Sequence, residues 1–324
     1  MPKLSVIVPC YYNEENIPVT SRVLIENEAA FPVDTTFEYV LVDDGSKDGT
    51  LAALHRFQQQ YPEKVTVVKL AGNVGSYNAI VAGMQYATGD VNVILTADMQ
   101  DPPELMIQML HHWRSGFKLV IANRAARNEG FVKTLLAEGF HWLMKHLALG
   151  DVPKGGFDFV LFDRQVKDRI LAMSERNSNI FYLMIWMGYA YVSIPYVRQA
   201  REIGTSRWTI KKRVKLLIDS LLAFSFFPVR AITVSGMVLG GIALLYALYL
   251  LGARLFGAVQ VRGWTALMLV LLFVSAFQMI ALGIIGEYVW RTLDAARQRP
   301  LYVEDEVRTA VPQPERVVHA SPLA

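Results

Sequence analysis

The chain has 324 residues, 53% of them hydrophobic and 19% charged, with a positive mean hydropathy. That is too apolar for an ordinary soluble enzyme and too charged for a pure membrane bundle, so a soluble domain joined to a membrane segment fits both figures. A formal charge of +3 lends no support to a nucleic-acid partner, and Cys10, the single cysteine, excludes an internal disulfide and is consistent with a reducing compartment.

Met1 to Tyr12 hold a short apolar run with no basic leader and no small-residue cleavage site, and Asn13, Glu14 and Glu15 follow at once. A first strand is expected there rather than a signal peptide. Up to about residue 125, β-branched runs (Leu4–Val8, Phe37–Val42, Val65–Leu70, Val91–Leu95, Leu119–Ala122) alternate with helical patterns such as Leu51–Tyr61 and Tyr77–Ala87. Continuous apolar runs suit parallel strands covered on both faces, and the spacing suits βαβ units. The expectation is an open α/β sheet with ligands beyond the carboxyl ends of its strands.

Two polar clusters follow such strands. Asp43-Asp44-Gly45-Ser46-Lys47-Asp48-Gly49-Thr50 offers adjacent carboxylates that can accept hydrogen bonds from a base or ribose. It reads equally as a strand-to-helix turn with Asp48 or Thr50 near an N-cap. Thr96-Ala97-Asp98-Met99-Gln100-Asp101-Pro102-Pro103-Glu104 sets a carboxylate and an amide two residues apart. That pair suits a hard divalent cation shared with a diphosphate, and the prolines then open a helix.

Further on, residues 131–149 form an amphipathic stretch that suits either a helix packed on the sheet or one lying on a membrane surface. Ala231–Ala253 and Gly263–Gly286 contain no charge, and each is long enough to span a hydrocarbon core of about 30 Å. Lys211, Lys212, Arg213, Lys215 and Arg230 precede the first stretch, and Arg291, Arg297 and Arg299 follow the second, whereas only Arg254 and Arg262 lie between. This bias predicts a hairpin with the N-terminal domain in the cytoplasm. Beyond Pro300 the tail is polar and expected to be disordered.

Six motifs in order carry a family resemblance: Val8-Pro9-Cys10-Tyr11-Tyr12-Asn13-Glu14-Glu15-Asn16, the Asp43–Thr50 run, Asp98–Glu104, Phe157-Asp158-Phe159-Val160-Leu161-Phe162-Asp163-Arg164, Arg201-Glu202-Ile203-Gly204-Thr205-Ser206-Arg207-Trp208 and Gly283-Ile284-Ile285-Gly286-Glu287-Tyr288. From Leu4 to about Val303 the chain resembles the family 2 glycosyltransferases of the GT-A fold, and within them the polyprenyl-phosphate glycosyltransferases. The resemblance implies an α/β, GT-A, mainly parallel sheet with a C-terminal two-helix transmembrane hairpin. It divides the chain into a cytosolic domain (1–208), a juxtamembrane helix (209–230), two spans (231–290) and a cytosolic tail (291–324).

By the same resemblance, Pro9, Tyr11, Glu14, Asp44, Thr96 and Arg201 meet the donor, and Asp98 and Gln100 hold Mg²⁺ or Mn²⁺. Asp158 joins Asp98 in catalysis near the sugar and the attacking oxygen, and Arg124, Arg127 and Arg207 face the acceptor phosphate. Two departures stand near the donor: Thr96 replaces the usual aspartate, and the Asn73-Val74-Gly75 loop lacks its usual basic neighbours. The implied reaction is inverting transfer from a UDP- or GDP-linked sugar to a polyprenyl phosphate, undecaprenyl phosphate being favoured, at the cytoplasmic face of the inner membrane. It would serve cell-envelope glycan modification, and assembly into a homo-oligomer stays open. A processive polysaccharide synthase would need more spans and a Gln-x-x-Arg-Trp signature, whereas Gly204-Thr205-Ser206 precede Arg207-Trp208. A non-catalytic nucleotide-sugar-binding protein, the reading that Thr96 favours, sits poorly with the presence of Asp98, Gln100 and Asp158.

Overall fold

The computed structural model describes residues 1–124, 138–139, 141–150, 152–153, 157–173, 178–199, 210–255 and 263–309. The first five strands fall where the apolar runs predict: β1 (Lys3–Cys10), β2 (Thr36–Asp43), β3 (Val65–Leu70), β4 (Val91–Ile94) and β5 (Leu119–Arg124). Between them lie α1 (Ile17–Asn27), α2 (Thr50–Gln60), α3 (Ser76–Tyr86) and α4 (Leu105–Arg114). After β5 come β6 (Phe159–Asp163), α5 (Arg164–Leu171), α6 (Ile180–Trp186), β7 (Tyr191–Tyr196), α7 (Ile210–Phe224), α8 (Phe227–Leu255), α9 (Trp264–Ala296) and β8 (Glu304–Arg308).

One sheet takes all eight strands in the order β7-β5-β6-β4-β1-β2-β3-β8. β3, β2, β1 and β4 run parallel, whereas β6 is antiparallel to both β4 and β5. Reversal of β6 matters for the site. Asp158, just before this strand, therefore lies at the same edge as the carboxyl ends of β4 and β5.

Strand alternation divides the core. Leu4, Val6 and Val8 of β1 join Tyr39 and Leu41 of β2 in one buried cluster with Leu24, Leu54 and Met109 of the helices. Ile7, Val40 and Val42 turn to the opposite face and pack with Ala79, Met84 and Ile170. A strand with both faces covered has no polar side to alternate with, which is why these runs read as continuously apolar.

The tail departs from expectation. Glu304–Arg308, expected to be disordered, form an antiparallel edge strand on β3. Besides the ladder and Val307 packed on the core, its charges help secure it: Glu304 accepts from the Tyr86 hydroxyl at 2.6 Å, Asp305 pairs with Lys69, and Glu306 stands 3.6 Å from His55. An edge strand rich in charge is a common protection against unwanted pairing, and it leaves no apolar signature to read.

Helices α8 and α9 contain the two stretches long and apolar enough to cross a membrane, Phe227–Tyr246 and Ala266–Ala296. They keep apolar side chains outward, for example Leu244 at 62% and Phe273 at 63% exposed. Water would penalise so large an apolar surface, whereas a lipid surround would not. The helices run antiparallel: Gly236 lies opposite Phe277, and the Tyr288 hydroxyl donates to the Ser225 carbonyl at 3.2 Å. At the base, Arg291 of α9 donates to Asp219 of α7 at 2.6 Å. Since α9 leads back to β8, both ends of the hairpin face the sheet domain. Most of the amphipathic stretch 131–149 lies outside the described residues. Within its described part, Met144 is buried in the core and Trp142 is exposed.

Candidate active site

The chain leaves β1 through a tight turn. Tyr12 has a positive φ of 54°, and its amide donates to the Ser46 hydroxyl at 3.0 Å. The Asn13 amide donates to the Thr50 hydroxyl at 2.8 Å, and the Glu14 carboxylate accepts from the Gly49 amide at 2.9 Å. Tyr12, Asn13 and Glu14, which follow Pro9 and Tyr11 in the chain, are thus tied to the turn that follows β2. That turn needs Gly45, whose φ is +69° and where an added Cβ would lie 2.7 Å from the Gly72 backbone.

Asp44 is nearly buried. It accepts from the amides of Val74 at 2.7 Å and Gly75 at 3.1 Å, at the start of α3. Burial pushes its carboxyl up to about 6, the two amides pull against that, and neighbouring Asp43 adds to the rise. The Asn73-Val74-Gly75 loop thus holds Asp44 through main-chain donors.

Beyond β4 the backbone turns through Met99, whose φ is 50°. The Gln100 side chain donates to the Gln199 carbonyl at 3.2 Å, and the Gln199 amide donates to the Gln100 carbonyl at 3.0 Å. The Thr96 hydroxyl donates to Asp101 at 3.1 Å. Asp101 is wholly buried and also accepts from the Tyr196 hydroxyl and from Arg198 at 3.4 Å. Burial raises its carboxyl above the usual range, as does Asp158, while Arg198 and Tyr196 oppose the rise.

At the neighbouring strand ends Asp158 pairs with Arg124, and Arg198 stands 3.6 Å away. Asp158 Oδ1 and Arg124 Nε are buried without a hydrogen-bond partner among the described residues.

Among the described residues no group of three or more His, Cys, Asp or Glu could hold a metal ion. Asp98 and Gln100 still fit Mg²⁺ or Mn²⁺ by donor chemistry. These ions take oxygen ligands, often one or two carboxylates, and complete their shells with water and substrate phosphates.

The structure thus gathers Asp44, Thr96, Asp98, Gln100, Arg124 and Asp158 at one sheet edge. Arg127, Arg201 and Arg207 lie outside the described residues. Sequence reading gave no role to Asp101, Tyr196 or Arg198. The signal it lacked was β7, an edge strand containing Pro195, which places Tyr196 and Arg198 at this edge.

The profile of the family described as Glycosyl transferase family 2 matches residues 5–170. The chain is 34% identical over 300 residues to the "Uncharacterized glycosyltransferase YkcC" of Bacillus subtilis, covering 92% of each. It is 31% identical to the "Prophage bactoprenol glucosyl transferase homolog" of Escherichia coli, covering 94% of this chain and 99% of that protein. It is 30% identical to the "Undecaprenyl-phosphate 4-deoxy-4-formamido-L-arabinose transferase" of Pectobacterium atrosepticum, covering 95% of each. The chain belongs to glycosyl transferase family 2. It is a glycosyltransferase, and its mostly parallel sheet is GT-A-like.

Proposed function

We propose that the protein moves a sugar, with inversion, from a UDP- or GDP-linked donor to a polyprenyl phosphate at the cytoplasmic face of the inner membrane. Undecaprenyl phosphate is the favoured acceptor, and envelope glycan modification the purpose. One observation carries the reading: the Asp98–Gln100 loop, Asp158 and Arg124 meet at one edge of a domain tied at both ends to an apolar helical hairpin. Two relatives, a bactoprenol glucosyl transferase homolog and an undecaprenyl-phosphate transferase, agree by name with this acceptor class. The proposed division remains 1–208, 209–230, 231–290 and 291–324, with Glu304–Arg308 of the tail returning to the sheet.

The acceptor chemistry sets modest demands. A phosphate monoester with a second pKa of about 6 is largely dianionic at neutral pH and needs no strong base. The protein must instead hold two anions together in line. Arg124 pairs with Asp158 through one end of its guanidinium, and a fork with several donors can take a phosphate oxygen beside that pairing. Arg127 and Arg207 are assigned to the same phosphate, and Arg201 to the donor. Asp158 orients the reacting groups, and Asp44, Pro9, Tyr11, Glu14 and Thr96 line the donor side. Mg²⁺ or Mn²⁺, held by Asp98 and Gln100, would supply charge stabilisation to the departing diphosphate.

Mass spectrometry of the lipid product, after incubation of undecaprenyl phosphate with a panel of nucleotide sugars, tests the proposal. One glycosylated lipid phosphate is expected. Nucleotide release without any lipid product would sink the acceptor assignment.

A further inference from the structure

The segment leaving β7 grips the loop after β4 in three places. The Tyr196 hydroxyl donates to Asp101, Gln199 exchanges two hydrogen bonds with Gln100, and Arg198 lies between them. Arg198 donates from Nη2 to Asp101 Oδ2 at 3.4 Å, while its Nε stands 3.3 Å from Asp101 Oδ1 without a hydrogen bond and Nη1 lies 3.6 Å from Asp158 Oδ2. Its side chain is 15% exposed, and that of Asp101 is 0%. Charges then alternate through Asp101, Arg198, Asp158 and Arg124. β7 and β4 are separated by two strands in the sheet, a distance of roughly 14 Å at the usual strand spacing. The chain after β7 therefore crosses the edge above β5 and β6 to bring Arg198 to Asp101.

As a source of stability this arrangement is inefficient. The ion contacts of Arg198 are long, and removing four charged groups from water offsets much of their attraction. Its effect is geometric. Asp101 follows Gln100 directly, so one guanidinium with several donors fixes the spacing between the Asp98–Gln100 loop and Asp158. A lysine would keep the charge but could not fork between two carboxylates.

We propose that Arg198 is a positioning residue for sugar transfer, acting through Asp101 and Asp158. This rests on the reading of Asp98, Gln100 and Asp158 given above. Arg198 sets the distance between the donor-phosphate end and the acceptor end of the site, so its loss lowers turnover and leaves ground-state binding intact.

The test uses the full-length protein in nanodiscs, with Arg198→Gln, Arg198→Lys, Asp98→Asn and Asp158→Asn. For each, kcat, the KM for nucleotide sugar and for undecaprenyl phosphate, and the thermal midpoint are measured, alongside calorimetry of UDP and GDP with Mn²⁺. A misplacement of about 1 Å costs on the order of a hundredfold in rate, which is the loss expected in kcat for Arg198→Gln. Both KM values and nucleotide affinity should stay within about threefold of wild type. Arg198→Lys should recover about tenfold of the lost kcat, since charge returns without the fork.

An Arg198→Gln kcat near that of wild type overturns the proposal. So does a parallel loss of nucleotide binding and thermal midpoint in both variants with Lys no better than Gln, because that marks a purely structural role. Should Arg198→Gln fail to fold, Arg198→Lys decides: reduced kcat with intact nucleotide binding supports positioning, and wild-type kcat or failure to fold overturns it. Wild-type rates in Asp98→Asn and Asp158→Asn would instead defeat the underlying reading of the site. Loss of rate in those two with full activity in Arg198→Gln defeats the Arg198 inference alone.

Discussion

The hydroxyl of Tyr288, near the end of α9, donates to the carbonyl of Ser225, immediately before α8, at 3.2 Å. This contact closes the apolar hairpin at its base, and Arg291 with Asp219 fastens the same end to α7. The Leu255 end of α8 and the Trp264 end of α9 then lie away from that base.

The topology this implies can be tested with cysteines in a Cys10→Ser background. Ala258→Cys, between the two helices, should react with an impermeant thiol reagent in intact cells. Ser321→Cys, beyond β8, should be protected until the membrane is opened. The reverse pattern would mean that the sheet domain faces outward.

Metal dependence should follow Asp98. Asp98→Asn is expected to lower kcat by about 10²–10³-fold, the range seen when one electrostatic contributor to a transition state is removed. Electron paramagnetic resonance of Mn²⁺ in the presence of UDP or GDP should show weaker binding in the same variant. Thr96→Ala should cost far less, since its hydroxyl donates to Asp101 and brings no charge. Full activity of Asp98→Asn in excess chelator would remove the metal assignment.

Asp44 should leave a mark on stability against pH. Its folded carboxyl sits at about 6, above the ordinary 3.8, chiefly through burial. The folded state therefore holds this proton longer than the unfolded chain, and Asp44 stabilises less as pH rises from about 4 to about 6. Thermal melts of wild type and Asp44→Asn across that window should show the wild type losing ground to the variant, with a constant difference above it. A pH-independent difference would contradict the buried, raised carboxyl.

Gly45 admits no side chain. At φ +69°, with the Gly72 backbone 2.7 Å from an added Cβ, Gly45→Ala should cost about 1–3 kcal/mol. The turn that carries Asp44 would shift with it, so nucleotide affinity measured by calorimetry should fall together with the denaturation midpoint. Unchanged affinity would uncouple this turn from the donor.

Much of this fold is legible in the residues, because β1 to β5 bury both faces and so present unbroken apolar runs. Asp98 and Gln100 are legible for a related reason: they follow β4 directly, and the prolines after them mark where a helix begins. Arg198 is not. Its partners Asp101 and Asp158 are 97 and 40 residues away, and β7 carries a proline and exposed positions that obscure it as a strand. Asp158 could be found only through its motif, since it precedes a reversed strand and the rule about carboxyl ends does not reach it. β8 escaped because most of its side chains are charged and its partner strand lies more than two hundred residues upstream.

Completion of the sheet by β8 has a consequence for biosynthesis. While the ribosome is still making the hairpin, β3 forms one border of the sheet with its backbone donors and acceptors unmatched. The last strand is made only after both apolar helices, so the sheet is completed by a segment that follows the hairpin in the chain. A chain cut short before Glu304 keeps an open border beside two apolar helices, the combination by which partly folded proteins aggregate.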